Sequence, residues 1–423
     1  MKKSTICVQG GYTPKNGEAR VLPITQSTTF KYDTSEEMGK LFDLEAEGYF
    51  YTRLANPTCD AVAKKICALE GGVAATLTSS GQAATLYAVT NICEAGDHIV
   101  CAAKVYGGTS NLLNVTLKRF GIACTLADQD LPEEELERYF RPETKAVFGE
   151  TIANPAGSVL DIEKFARLAH RHGCPLIVDN TFATPINCTP FSFGADIVTH
   201  STTKYMDGHA MAVGGCVVDS GNFDWMAHKD RYPGLTTPDE SYHGIVYAEK
   251  FGKCGYIQKI VAQLTRDMGA CQSPMNAFLT NVGLETLHLR MARHCENAQK
   301  VADYLKNHEK VAWVEYAGLE GDKYYDLARK YLPNGVCGVL SFGPKGGREG
   351  AMRFTNALKM IAIVTHVADA RTCVLHPASH THRQLNEQQL MEAGVLPELI
   401  RLSVGIEDVE DILADLEQAL QAV

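Results

Sequence analysis

The chain has 423 residues and a formal net charge of −10, from 40 Lys and Arg against 50 Asp and Glu. That length is enough for two or three domains with a sizeable core. The acidic balance argues against non-specific nucleic-acid binding and against docking on an anionic membrane. Met1-Lys2-Lys3 is not followed by an apolar run, and no stretch reaches the uncharged apolar length of a membrane span, so a cytoplasmic protein is expected. The 14 cysteines are scattered singly with no C-x-x-C pair, which suits a reducing compartment and assigns none of them to catalysis.

Three zones follow along the chain. Residues 1–56 carry Gly, Pro and Thr clusters with little periodicity and read as an extended arm that needs another surface to stay ordered. From 57 to 255, short apolar runs at 74–78, 98–101, 146–149, 176–178 and 197–199 alternate with helical patterns. Such alternation predicts an α/β fold, a mainly parallel sheet with helices on both faces, whose ligands lie at the carboxyl ends of the strands. Residues 256–423 open with a helix-like run over 269–305, add strands near 311–314 and 336–342, and close on a helix-like stretch at 410–422. They read as a smaller α+β domain.

Chemistry-bearing residues sit just past several of these strands. Asp196-Ile197-Val198-Thr199-His200-Ser201-Thr202-Thr203-Lys204 runs from an apolar strand into hydroxyls and a single lysine. This pattern suits a Schiff base with a pyridoxal cofactor whose phosphate is held by the hydroxyls. Asp179 ends the strand Leu176-Ile177-Val178 and could pair with the pyridine nitrogen; taken alone, it is equally an N-cap. Ser79-Ser80-Gly81-Gln82 opens a helix after a strand and could present N–H groups to an anion, or simply cap the helix. Tyr106, before Gly107-Gly108, could stack on a flat ring or pack at a domain edge, and Asn154 could donate to a phenolic oxygen or serve an Asn-Pro turn. His376, His380 and His382 have no Cys or acidic neighbour at ligand spacing, so no metal is expected.

Seven segments in chain order resemble the Cys/Met-metabolism family of pyridoxal-phosphate enzymes. They are Tyr51-Thr52-Arg53-Leu54-Ala55-Asn56-Pro57-Thr58, Ser79-Ser80-Gly81, Tyr106-Gly107-Gly108-Thr109, Val178-Asp179-Asn180-Thr181, Ser201-Thr202-Thr203-Lys204-Tyr205, His376-Pro377-Ala378-Ser379 and Arg401-Leu402-Ser403-Val404-Gly405-Ile406-Glu407. The resemblance implies a PLP-dependent transferase fold of type I, with a seven-stranded sheet and pyridoxal 5'-phosphate as cofactor. It implies Lys204, Tyr106 and Asp179 as catalytic residues. Ser80, Gly81, Gln82, Ser201 and Thr203 would hold the phosphate, and Asn154 the ring. Tyr51 and Arg53 would reach the phosphate of a neighbouring subunit, so that the active unit is a homodimer, usually paired into a homotetramer. Arg401 would clamp the substrate carboxylate, with Asn154 and Tyr51 beside it.

Gln82 stands where many relatives have Met, and His366-Val367-Ala368-Asp369 departs from the usual Ser- or Asn-containing stretch. The long loop 231–244, with Tyr331-Leu332-Pro333-Asn334-Gly335 and Leu340-Ser341-Phe342-Gly343, resembles one branch in particular. That branch converts O-acetyl-L-homoserine, with sulfide or methanethiol, to L-homocysteine or L-methionine and acetate. Methionine γ-lyases usually carry Cys where this chain has Gly108. A γ-lyase and a relative using O-succinylhomoserine are the nearer alternatives; a non-enzymatic binding role in sulfur metabolism is the distant one.

Overall fold

The computed structural model describes residues 1–155, 157–380, 383 and 395–423. Its first sheet has seven strands: β1 (Ala74–Thr78), β2 (His98–Ala102), β3 (Ala123–Ala127), β4 (Thr144–Glu150), β5 (Leu176–Asp179), β6 (Ile197–His200) and β7 (Gly215–Asp219). They lie in the order β1-β7-β6-β5-β4-β2-β3, and every pairing is parallel except those of β7, which runs antiparallel to both neighbours. Leu176, Ile177, Val178, Ile197 and Val198 are fully buried. Helices cover both faces of the sheet, which is why these strands read as continuous apolar runs rather than alternating ones.

Local signals fix the helices that frame the site. Asn56 caps the helix Pro57–Glu70 by accepting from Thr58 N, Pro57 occupies its first turn, and Gly71 closes it at φ 79°. Ser80 caps the helix Gly81–Thr90 by accepting from Ala83 N. The 269–305 run, expected as one helix, is two, Pro274–Glu285 and Leu287–Lys306. Gly269 adopts φ 79° and Pro274 lacks an N–H, so the chain leaves helical geometry between them and restarts at the proline.

The second sheet comprises β8 (Val311–Glu315), β9 (Val339–Pro344), β10 (Ala362–Ile363), β11 (Cys373–Leu375) and β12 (Ile400–Ser403), in the order β10-β11-β12-β9-β8. The helices Leu287–Lys306 and Gly347–Ala357 pack on this sheet, and Val409–Leu420 packs against both of them. Residues 256–259 pack instead on the first sheet's helix Gly81–Thr90: Tyr256 Oη donates to Ala88 O, and Lys259 Nζ to Asn91 O, both at 2.7 Å.

The N-terminal zone is mostly exposed, with two departures from an extended arm, the helices Lys3–Gln9 and Ser35–Phe42. Lys3–Gln9 is helical, and its Ile6 and Cys7 are buried against the chain's own helices. An apolar pair at adjacent positions gave no periodic signal strong enough to mark so short a helix. No helix among the described residues is long and apolar enough to cross a membrane.

Candidate active site

The carboxyl ends of β4, β5 and β6 lie side by side and carry the titratable groups. Glu150 and Asp179 are partners in the β4–β5 register. Asp179 Oδ1 accepts from Thr181 N at 2.9 Å and from Thr181 Oγ1, which in turn accepts from Ser201 N at 2.8 Å. One threonine therefore links the aspartate to the turn that carries the lysine. Among the described residues, the second Asp179 oxygen has no hydrogen-bond partner. Burial pushes the Asp179 carboxyl upward, while the Thr181 bonds and the charge of His200 oppose the shift. Glu150 is pushed well above the carboxylate range by burial and by the neighbouring Asp179 charge. Its Oε1 accepts from Tyr106 N at 2.7 Å, so it anchors the turn that carries the tyrosine.

Lys204 is partly buried, and among the described residues its amine has neither a hydrogen-bond partner nor a carboxylate within ion-pair distance. Burial, then the Arg401 charge, lowers its pKa to about 8 from the usual 10.5. Arg401, on β12, is 7% exposed. It donates to the carbonyls of Thr365 and His366, each at 3.1 Å, and to Asn154 Oδ1 at 3.3 Å. Its charge thus enters the cleft from the second sheet with polar neighbours and, among the described residues, no carboxylate within ion-pair distance.

An anion turn completes the arrangement. A Cβ at Gly81 would lie 2.6 Å from the Ser201 Cβ, so the helix N-terminus rests directly on the lysine turn, and only glycine fits. Ser80 Oγ uses its lone pair on Ala83 N at 3.2 Å, leaving its O–H to donate outward. A Cβ at Gly108 would meet Tyr106 Cε1 at 2.5 Å and Gln82 Nε2 at 2.7 Å, which brings the Tyr106 ring and the Gln82 side chain together over one glycine. Thr203 Oγ1 donates to Gly214 O at 3.2 Å and accepts from Gly214 N at 3.0 Å, which ties the lysine turn to the start of β7.

Lys204, Asp179, Asn154, Arg401, Ser201, Ser80, Gly81, Gln82 and Tyr106 are thus brought together. Tyr51 and Arg53 are not. The Arg53 guanidinium stands 5.2 Å from the Tyr51 ring centroid and feels Asp267, and among the described residues neither side chain bonds to any other residue of the cleft. The start of the 231–244 loop lies at the opposite end of the sheet, where Tyr232 Oη donates to Lys145 O and Gly173 O at the amino ends of β4 and β5. Both His376 nitrogens are engaged, with Ser379 Oγ at 2.8 Å and Pro397 O at 2.7 Å. His382 lies outside the described residues, and no group of metal ligands occurs among the described ones. Glu150 and Thr181 escaped sequence reasoning. Each stands in a strand-end stretch already singled out, but its role depends on a neighbouring strand.

These residues fit a phosphorylated pyridine aldehyde. An unpartnered amine, a carboxylate with one free oxygen, an exposed aromatic face and a glycine-lined helix N-terminus all face one cleft. Comparison with known proteins agrees. The chain is 45% identical to the homocysteine synthase of Schizosaccharomyces pombe over 99% of its own length and 97% of that protein's. It is 42% identical to the O-acetyl-L-homoserine sulfhydrylase of Leptospira meyeri, covering 100% of this chain and 97% of that one. Among solved structures, a Campylobacter jejuni chain assigned as an O-acetylhomoserine (thiol)-lyase superimposes with a TM-score of 0.95 at 36% identity, over 100% of both chains. That structure carries N'-pyridoxyl-lysine-5'-monophosphate. Residues 4–421 match one family throughout, and with the cleft's lysine and carboxylate they say that the chain belongs to the Cys/Met metabolism PLP-dependent enzymes.

Proposed function

We propose that this protein catalyses γ-replacement on O-acetyl-L-homoserine, using sulfide or methanethiol to give L-homocysteine or L-methionine and acetate. The observation that carries the reading is the Lys204 amine, which has no partner among the described residues and is lowered to about 8 by burial and by the Arg401 charge. The names of the full-length relatives supply the substrate class.

Bound pyridoxal phosphate supplies an electrophilic aldehyde and a ring that accepts electron density from the substrate's α-carbon. With the cofactor bound, Lys204 Nζ would be the amine that reaches its aldehyde and the base that would carry protons at the substrate's Cα and Cβ, so that acetate could leave from Cγ and sulfur add there. Asp179, through its free oxygen, would hold a proton on the pyridine nitrogen. Tyr106 would stack on the ring, and Ser80, Ser201, Thr203 and the Gly81 and Gln82 amides would hold the phosphate. Arg401 holds the substrate carboxylate through its guanidinium fork, with Asn154 fixing the fork's orientation. Tyr51 and Arg53, remote from their own cleft, serve the partner's phosphate in a homodimer that pairs into a tetramer. The cell compartment is the cytoplasm.

Gly108, where methionine γ-lyases usually carry Cys, supports replacement over lyase chemistry. The test is to incubate holoprotein with O-acetyl-L-homoserine, with and without sulfide, and quantify homocysteine and 2-oxobutanoate. Sulfide-dependent homocysteine is expected. Oxoacid as the main product in both reactions would refute the reading in favour of a γ-lyase.

A further inference from the structure

Behind the cleft, on the other side of the sheet from Asp179, lies a buried polar cluster that the proposed chemistry does not use. Glu70, the last residue of the helix Pro57–Glu70, is 2% exposed. Its Oε1 pairs with His200 Nε2 at 2.7 Å and accepts from Asn180 Nδ2 at 2.8 Å. Asn180 Oδ1 in turn accepts from Thr151 Oγ1 at 2.8 Å. His200, Asn180 and Thr151 are each no more than 1% exposed.

The position is a costly one for a carboxylate. It is desolvated, it sits at the negative end of a helix, and its Oε2 has no partner among the described residues. A residue needed only to fill space there would be apolar. What distinguishes the cluster is its place along the chain. Asn180 follows Asp179, His200 precedes Ser201, and Thr151 follows Glu150. One carboxylate thereby ties the ends of β5 and β6 directly, and that of β4 through Asn180. The other ionisable groups within reach of Glu70 are Lys3 of the N-terminal helix and the thiols of Cys67, Cys188 and Cys216; His200 also acts on Asp179.

We infer that Glu70 is a positioning residue for the cofactor site. Through His200 and Asn180 it fixes the separation of Asp179 from the Ser201–Lys204 turn, and through the His200 ring it bears on the Asp179 charge. The inference rests on the reading of Asp179 and Lys204 as cofactor residues.

The experiment uses full-length holoenzyme carrying Glu70→Gln, which keeps the volume and one acceptor but removes the charge. Two readouts are followed: the dissociation constant for pyridoxal phosphate, and the pH midpoint of the bound cofactor's visible absorbance. The variant is expected to bind cofactor about fivefold or more weakly, the equivalent of one lost hydrogen bond, and to shift the absorbance midpoint. Thr151→Val, which cuts only the outermost link, should weaken binding in the same direction by about twofold. It carries the test if Glu70→Gln does not fold. Unchanged affinity and an unchanged midpoint, even with lower thermal stability, would overturn the inference and leave Glu70 as a stabilising residue only. A wild-type protein that takes up no cofactor would instead overturn the reading of Asp179 and Lys204.

Discussion

Arg401 is given two separable tasks, and substitutions divide them. Its charge helps to lower Lys204 to about 8, so about 9% of the amine is free base at pH 7. An ordinary lysine at 10.5 would be about 0.03% free base, roughly 300-fold less. Because only the free amine attacks an aldehyde, the apoprotein's rate of cofactor uptake should rise with pH through about 8. Arg401→Met removes the charge but leaves burial, the larger cause, in place. The midpoint should therefore move upward yet stay below 10.5. Uptake at pH 7 should slow by about three- to thirtyfold, because the free-base fraction falls about tenfold for every pH unit the midpoint rises. Arg401→Lys keeps the charge and loses the fork. Its uptake profile should stay close to wild type while kcat/KM for O-acetyl-L-homoserine falls about 30-fold or more, the cost of about 2 kcal/mol or more for a broken charge-assisted contact. The assay is stopped-flow cofactor binding to apoprotein from pH 6 to 10, followed by steady-state kinetics on reloaded protein. An Arg401→Met uptake profile that overlays wild type would refute the coupling of the two cations.

Lys204→Ala should abolish homocysteine synthesis, measured as sulfide-dependent homocysteine formation. The same variant gives a stability test: a lysine whose folded pKa is lowered adds stability as pH rises from about 8 to the unfolded 10.5, so apoprotein melting should gain less over that window in Lys204→Ala than in wild type. Arg53→Ala should lose cofactor on dialysis. Mixed one-to-one with Lys204→Ala chains under subunit exchange, it should recover about a quarter of wild-type sites, since half the dimers are then mixed and each has one complete site; zero recovery would place Arg53 outside the partner's cleft. Gly108→Cys should displace the Tyr106 ring and lower kcat/KM by about tenfold, the scale of a 1–2 kcal/mol overpacking cost; wild-type kinetics would show that the ring moves freely.

The parts of the site legible in the sequence are those that one strand end can announce alone. Lys204 and Asp179 each follow an apolar run that becomes a buried strand, and the strand–helix alternation fixed which end of the sheet faces a ligand. The turn at Ser80-Gly81 was legible for the same reason. What was not legible depends on pairings between distant segments. Glu150 gains its character only because β4 lies beside β5; Arg401 itself was named, but the Thr365 and His366 carbonyls that hold its guanidinium come to light only in the folded chain. Strands β10 to β12 were also silent: two to four residues are too few to show a period.

The cleft's charges argue for what fills it. Lys204 and Arg401 face each other with no carboxylate within ion-pair distance among the described residues, and each lowers the proton affinity of its surroundings rather than finding a counter-charge. Glu150 is held toward its neutral form by burial and by Asp179, and Asp369 and Asp207 act on the cleft from the His366 side. The empty protein thus concentrates positive charge in a partly desolvated space, a state that costs free energy until anions arrive. A phosphate at the helix N-terminus and a carboxylate on the Arg401 fork would neutralise it from two ends, and the groups left between them are the Lys204 amine and the Asp179 oxygen. Cofactor and substrate binding therefore relieve the same repulsion that keeps the lysine reactive. For that reason loading with pyridoxal phosphate should raise the melting temperature of the wild type more than that of Arg401→Met, where one of the two opposed charges is already gone.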